Sequence, residues 1–212
     1  PSESSHIFTG DGVEYAVLSG GENRTRVSSS DIPQHLKDVV VATEDIRFYD
    51  HFGVDIRRVF GALIADITSG SFEQGASTIT MQLARNAILD TQVKELERKV
   101  REALLAIQLE QQYSKDEILT FYLNEVFFGH NVYGVQAAAE FYFGKDVQDL
   151  TLGESAMLAG MLRSPNTYSP YKDIEKATYI RDVALNNLLK YKPEYEEQIE
   201  QAKAEELVVA DG

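Results

Sequence analysis

At 212 residues, 43% hydrophobic and 25% charged, the chain is long enough for one domain with a sizeable core and too apolar for disorder. It has no cysteine, which removes disulfides and thiolate metal sites, and its formal net charge of -14 argues against a nucleic-acid partner. An anionic substrate would need a local cationic site, for which Arg85, Lys94, Arg98, Lys99 and Arg101 are candidates.

Residues 1–30 are rich in Gly, Ser, Thr and Asn and carry short β-type runs such as Tyr15-Ala16-Val17-Leu18, which suits an extended arm or small hairpin. From Ile32 the pattern turns helical. Ser30 or Asp31 is a candidate cap for a helix beginning near Pro33. Further helices are expected over Val54–Thr68, ending in Ser69-Gly70-Ser71, and over Ser77–Ala87. Val93–Tyr113 is the longest. Its centre, Ala103-Leu104-Leu105-Ala106-Ile107, is apolar on every face and predicts a helix buried at the middle of the domain. Ser114–Glu125 opens with Ser114 and Glu117 at capping-box spacing. Tyr133–Phe143, Thr151–Leu162, Ile174–Tyr191 and Glu194–Glu206 complete the series, the last with its glutamates on a solvated face. No strand–helix alternation, internal repeat or apolar run of the ~18 residues a membrane span needs is present, so the fold class is mainly α.

Leu36, Val40 and Glu44 are spaced by four, so a carboxylate lies on the stripe where a structural helix would carry an aliphatic residue. Burial disfavours a charged carboxylate and can hold it ready for proton transfer near neutral pH. A helix-end glutamate paired with a nearby arginine or backbone group fits the same spacing. Residues 44–53 pack Glu44, Asp45, Phe48, Tyr49, His51 and Gly53 into ten positions. Residues 75–86 follow, in which Gly75 and Ser77 open a helix whose free N–H groups suit an anion. Thr78, Gln82 and Arg85 form a polar stripe along it, opposite Ile79, Leu83 and Ala87, a pattern an ordinary amphipathic helix also has. Arg98 and Glu102 are an i, i+4 pair beside the apolar segment. His6, His35 and His130 are isolated and read as structural. No His-Glu-x-x-His, nucleophile elbow or P-loop occurs.

In this order the clusters resemble glycosyltransferase family 51, the peptidoglycan glycosyltransferase domain of class A penicillin-binding proteins and of monofunctional enzymes. The family's Glu-Asp-x-x-Phe-x-x-His-x-Gly is matched by Glu44, Asp45, Phe48, His51 and Gly53. Its Gly-x-Ser-Thr-Ile-Thr-Gln-Gln, followed by Lys or Arg and Asn, runs from Gly75 to Asn86, with Met81 in place of the first glutamine. Arg98, Lys99 and Glu102 match Arg-Lys-x-x-Glu. Tyr122-Leu123-Asn124 with Gly129 and Gly134 matches the fourth motif. Arg163-Ser164-Pro165 with Tyr168 and Pro170 is similar to the fifth. The Lys-Thr-Gly signature of a transpeptidase half is not in these residues.

The resemblance implies a lysozyme-like helical lobe over residues 31–212, after an N-terminal arm over 1–30, with a small mobile jaw lobe near 54–76. Val59-Phe60-Gly61-Ala62-Leu63-Ile64 in that jaw suits either lipid contact or an ordinary core helix. The implied activity polymerises lipid II into β-1,4 glycan with inversion and releases undecaprenyl diphosphate. Glu44 is then the general base. Glu102 has three roles open to it: holding the cations, orienting the donor or binding a metal. Asp45, Phe48, His51, Ser77, Thr78, Gln82, Arg85, Asn86, Arg98, Lys99, Asn124 and Arg163 are the implied substrate-binding residues. No cofactor is required by the sequence, with room for a divalent cation, Mg or Mn. The implied partners are lipid II, the growing glycan-undecaprenyl diphosphate, the membrane surface, and other cell-wall synthesis or division proteins. The implied location is the outer face of the bacterial cytoplasmic membrane, held by an N-terminal helix outside this chain. Two other classes compete. One is a lysozyme-like hydrolase with paired carboxylates, which has no use for a cationic diphosphate site. The other is a helical membrane-associated adaptor, which has no use for Glu44 on a core stripe.

Overall fold

A computed structural model describes residues 5–8, 14–18, 26–58, 77–87 and 95–210. The described fold is mainly α. Ser5–Phe8 (β1) and Glu14–Leu18 (β2) pair antiparallel, with an irregularity between Ile7 and Phe8. The helices are α1 (Gln34–Glu44), α2 (Ile79–Ala87), α3 (Glu95–Gln112), α4 (Lys115–Glu125), α5 (Val135–Phe143), α6 (Leu152–Met161), α7 (Ile174–Tyr191) and α8 (Glu196–Ala204). Most of the expected Val54–Thr68 helix, most of the jaw and its 59–64 apolar run, and Lys94 lie outside the described residues. Among the described residues no helix is long and apolar enough to cross a membrane.

The chain groups into two compact units, Pro1–Glu22 with Arg47–Tyr122, and Asn23–Ile46 with Leu123–Gly212. The second unit is built around α6, which packs against α1, α7 and α8. Gly153 and all of Ser155–Met161 are buried. Small residues make this close packing attainable. A Cβ on Gly160 would sit 2.6 Å from the Ile180 carbonyl oxygen, so α6 and α7 touch backbone to backbone there. Leu36, Val39, Val40 and Val41 of α1 and Ala184, Leu185 and Leu188 of α7 fill the same core. Each fully buried Leu or Val contributes roughly 1.5–3 kcal/mol.

Caps fix where the helices begin. Thr151 accepts from the Glu154 N–H while Glu154 accepts from the Thr151 N–H, a reciprocal box at the start of α6. Ser114 and Glu117 do the same for α4. Asp173 caps α7. At α1 the expected cap is different. Asp31 folds back on the Ser28 N–H and hydroxyl and closes a short 3-10 turn over Ser29–Asp31. Pro33 occupies the cap position of α1 with no side-chain cap bond.

The first unit contains the β-pair, the 47–58 turn, α2 and α3 packed together, and most of α4. Here one expectation fails. The centre of α3 is not buried on every side: Leu105 and Ala106 are buried while Leu104 is exposed, on the same side as the exposed Leu96 and Val100 nearer the start of the helix. A run of apolar residues does not say which of them has a packing partner. The all-round buried helix of the described structure is α6, whose composition is small rather than uniformly aliphatic.

Candidate active site

Glu44 is the last residue of α1. Leu36 and Val40, on the same stripe, are 1% exposed, and Glu44 itself is half-buried, so the stripe carries a carboxylate from the core to its edge. The helix ends there because Asp45 leaves helical geometry at φ -157° and ψ 73°. Asp45 is buried.

The 47–58 turn is held at several points within the first unit. Arg47 grips Asp55 with two nitrogens, Nε at 2.8 Å and Nη2 at 2.7 Å. Burial pushes the Asp55 carboxyl up. The Arg58 N–H and the Arg47 guanidinium more than offset this and hold it below its ordinary value. Phe48 is fully buried, edge-on to Tyr49 and His51 at ring-centroid distances of 5.1 and 6.1 Å. His51 is half-buried. Gly53 has φ +84°, and a Cβ there would meet the Ala106 carbonyl carbon of α3 at 2.7 Å. Only glycine satisfies both conditions.

A short stretch before α2 ties this turn to that helix. The Thr78 hydroxyl donates to the Gly53 carbonyl at 2.6 Å and accepts from the Met81 N–H at 3.0 Å. Thr78 is 0% exposed, so its hydroxyl serves as a cap and a tie, and the polar stripe expected from Thr78 through Gln82 to Arg85 is split. Gln82 is half-buried and accepts from the Tyr122 hydroxyl at 3.1 Å. Met81 is core. Asn86 is exposed on the last turn.

Charge concentrates at Glu102. This residue of α3 is 0% exposed, and three cations surround it. Arg85 from α2 forks onto both oxygens, Nε to Oε1 at 2.8 Å and Nη2 to Oε2 at 3.2 Å. Arg98 Nε is 3.6 Å from Oε1 and Lys99 Nζ 3.4 Å from Oε2, both from the preceding turn of α3. The Ser77 hydroxyl, ahead of α2, accepts from Lys99 at 2.5 Å and from Arg85 at 3.4 Å. The cluster has a net of two positive charges. Its cations are partly exposed, at 43%, 40% and 33% for Arg85, Arg98 and Lys99, while its carboxylate is not. Arg101 turns aside to Glu97 at 2.6 Å. A carboxylate enclosed by three cations is a poor ligand for a further cation. Among the described residues no group of three or more His, Cys, Asp or Glu gathers as a metal site.

The Transglycosylase family model matches residues 11–189 of this sequence. The chain belongs to that family. It is similar to penicillin-binding protein 1A of Neisseria lactamica, with 43% identity over 201 residues, covering 95% of this chain and 25% of that protein. Penicillin-binding protein 1F of Bacillus subtilis is 46% identical over 182 residues, covering 86% of this chain and 25% of that protein. Among solved structures, penicillin-binding protein 1A from Haemophilus influenzae matches with a TM-score of 0.55 and 26% identity, over 100% of this chain and 22% of that one. The chain thus spans about a quarter of the length of these relatives.

Within this Transglycosylase chain, the later motifs in the second unit have visible structural work. Asn124 accepts from the Val27 N–H at 2.9 Å and donates to the Val27 carbonyl at 3.0 Å, so its amide is matched to one backbone residue. A Cβ on Gly134 would lie 2.6 Å from the Asn124 carbonyl oxygen. Gly129, His130 and Asn131 all have positive φ, at 83°, 48° and 61°, and His130 Nε2 is 2.8 Å from the buried Ser169 hydroxyl. Arg163 is exposed after α6. The six glutamates of the C-terminal end, Glu194, Glu196, Glu197, Glu200, Glu205 and Glu206, are exposed. Sequence reasoning missed Asp55, Glu110 and Lys115. Glu110 had the same signal as Glu44: it lies two turns beyond Glu102 on the face that carries Ala106.

Proposed function

We propose that this domain is a peptidoglycan glycosyltransferase that extends a glycan chain from lipid II on the outer face of the bacterial cytoplasmic membrane. Membership of the Transglycosylase family supports the reaction class. The observation that carries the reading to a lipid-diphosphate donor is the Arg85, Arg98 and Lys99 cluster around Glu102. A diphosphate leaving group gains negative charge as its bond to the sugar breaks. Fixed donors already pointing at that charge stabilise the transition state more than the ground state.

In this mechanism the 4-hydroxyl oxygen of the acceptor sugar attacks the anomeric carbon of the donor. Glu44 takes the hydroxyl proton, and the bond from that carbon to the diphosphate oxygen breaks, with its electron pair leaving on the phosphate. Attack opposite the leaving group inverts the centre and gives the β-1,4 linkage. Arg98 and Lys99, which approach Glu102 less closely than Arg85, offer donors to the phosphates. Arg85, spent on Glu102 through two nitrogens, braces them. Glu102 is then a positioning residue, since both of its oxygens already accept charge-assisted bonds. No step requires a metal, and Mg or Mn would act on the diphosphate rather than at Glu102. The overall charge of -14 does not oppose this, because exposed charges are largely screened beyond about 8 Å in physiological salt.

Labelled lipid II supplied to the full-length protein tests the reading. Polymer is expected, and Arg98→Ala should reduce both turnover and diphosphate binding. Shortened glycan would mean a hydrolase, and no turnover would mean a non-catalytic domain; either result overturns the proposal.

A further inference from the structure

Phe48, the aromatic of the first motif, is 0% exposed, and the Lys115 ammonium lies 4.5 Å from its ring centroid. The same ammonium is 2.7 Å from Glu110 Oε1. That oxygen also accepts from the Thr80 hydroxyl of α2 at 2.6 Å. Phe48, Lys115, Glu110 and Thr80 therefore form one continuous connection from the 47–58 turn to α2, all inside the first unit. Neither Lys115 nor Glu110 belongs to any of the five motifs.

The arrangement is costly for a purely structural contact. The Glu110 side chain is 3% exposed and that of Lys115 is 21% exposed. Desolvating such a pair is repaid only by good geometry, and an apolar pair would pack the same space as well or better. What an apolar pair lacks is direction. A cation over a ring face, backed by a carboxylate, fixes the ring's height and lateral position together. Phe48 in turn anchors the backbone that carries Tyr49 and Phe52, which are 49% and 55% exposed, and it lies four residues after Glu44.

We infer that Lys115 is a positioning residue for glycosyl transfer: held by Glu110, it fixes Phe48 and so the turn that follows the general base. This rests on the glycosyltransferase reading above. Lys115 touches no reacting atom and acts only through the ring. Because sub-ångström placement of the groups that a turn presents governs rate more than ligand affinity, its loss lowers turnover and spares diphosphate binding.

The test uses the full-length protein as wild type, Lys115→Met and Lys115→Arg. Titration with farnesyl diphosphate counts the competent sites in each, and lipid II polymerisation is then expressed per site. Lys115→Met keeps the hydrophobic stem and should bind farnesyl diphosphate with wild-type stoichiometry and affinity, while turnover per site falls about tenfold. Lys115→Arg keeps the cation and should recover most of the loss. Unchanged turnover per site in Lys115→Met, or no recovery in Lys115→Arg, overturns the positioning role while wild-type polymerisation leaves the broader reading standing. A fall in stoichiometry that accounts for the whole loss also overturns it, since that is loss of folded protein. Absence of polymer from wild type removes the broader reading and this inference with it.

Discussion

Arg85 reaches from α2 to clasp both carboxylate oxygens of Glu102 on α3, at 2.8 and 3.2 Å. The fork joins two helices and gathers the cations at once. Without it, Arg85, Arg98 and Lys99 would repel one another across a few ångströms.

Glu102→Gln should therefore damage the site more than the fold. A neutral amide leaves three cations with nothing at their centre. The cations are a third or more exposed, so water screens part of their repulsion. Denaturant titration should show a loss of about 1–3 kcal/mol, well short of unfolding. Turnover should fall about 100-fold, because the donors are no longer held in register. Stability and turnover both at wild-type level would show that Glu102 does not organise the cluster.

Gly53→Ala should be far more damaging to the fold. The new methyl meets the Ala106 backbone carbon at 2.7 Å, and the residue must hold φ +84°. Neither strain can be relieved by rotating a side chain. A loss of roughly 3–5 kcal/mol is expected from the combined clash and strained backbone. Equilibrium unfolding measures it directly, and a loss below about 1 kcal/mol would mean that the turn does not press on α3 as described.

Alkaline pH should destabilise the second unit through two tyrosines, the buried Tyr142 and the half-buried Tyr195. Burial raises the Tyr142 and Tyr195 hydroxyls from an ordinary value of 10.0 to about 12. For Tyr195 the bond to Asp38 at 2.9 Å and its charge add to the effect. The unfolded chain releases these protons near pH 10 and the folded chain holds them, so stability falls as pH rises from about 10 to 12. Lys192, bonded to the same Asp38, acts in the same direction. Burial lowers its pKa, but the bond and charge of Asp38 raise it further, so its contribution is lost as pH passes through the raised value. Melting temperature followed from pH 9 to pH 12 (about the span of both pKa values) should drop, less steeply in Tyr195→Phe. A flat profile would contradict the burial of these hydroxyls.

The helical series was legible because its signals are local. Ser114 with Glu117 and Thr151 with Glu154 announce helix starts at fixed spacing, and both boxes form. The Arg98–Glu102 approach is legible the same way, from i, i+4 spacing. What was not legible depends on partners distant in sequence. Leu104 is exposed and Leu105 buried on one helix, although the sequence treats them alike. Asp31 looked like a helix cap and closes its own turn instead, because Ser28 is nearer. Thr78 looked like part of a ligand-facing stripe, yet Gly53, 25 residues away in sequence, takes its hydroxyl. Lys115 carried no motif at all, and only the fold sets it over Phe48.

In the proposed mechanism Glu44 is the general base of a transfer from a lipid diphosphate. The most direct measurement compares lipid II polymerisation by the full-length wild-type protein with that of Glu44→Gln, whose fold is checked by its melting temperature. The side chain is half-buried at the end of α1 and is replaced by one of the same shape, so folding should be preserved. Turnover should fall by roughly 10²–10⁴-fold, the usual contribution of a general base, with farnesyl diphosphate still bound. A folded Glu44→Gln protein that polymerises lipid II at close to the wild-type rate would contradict the claim.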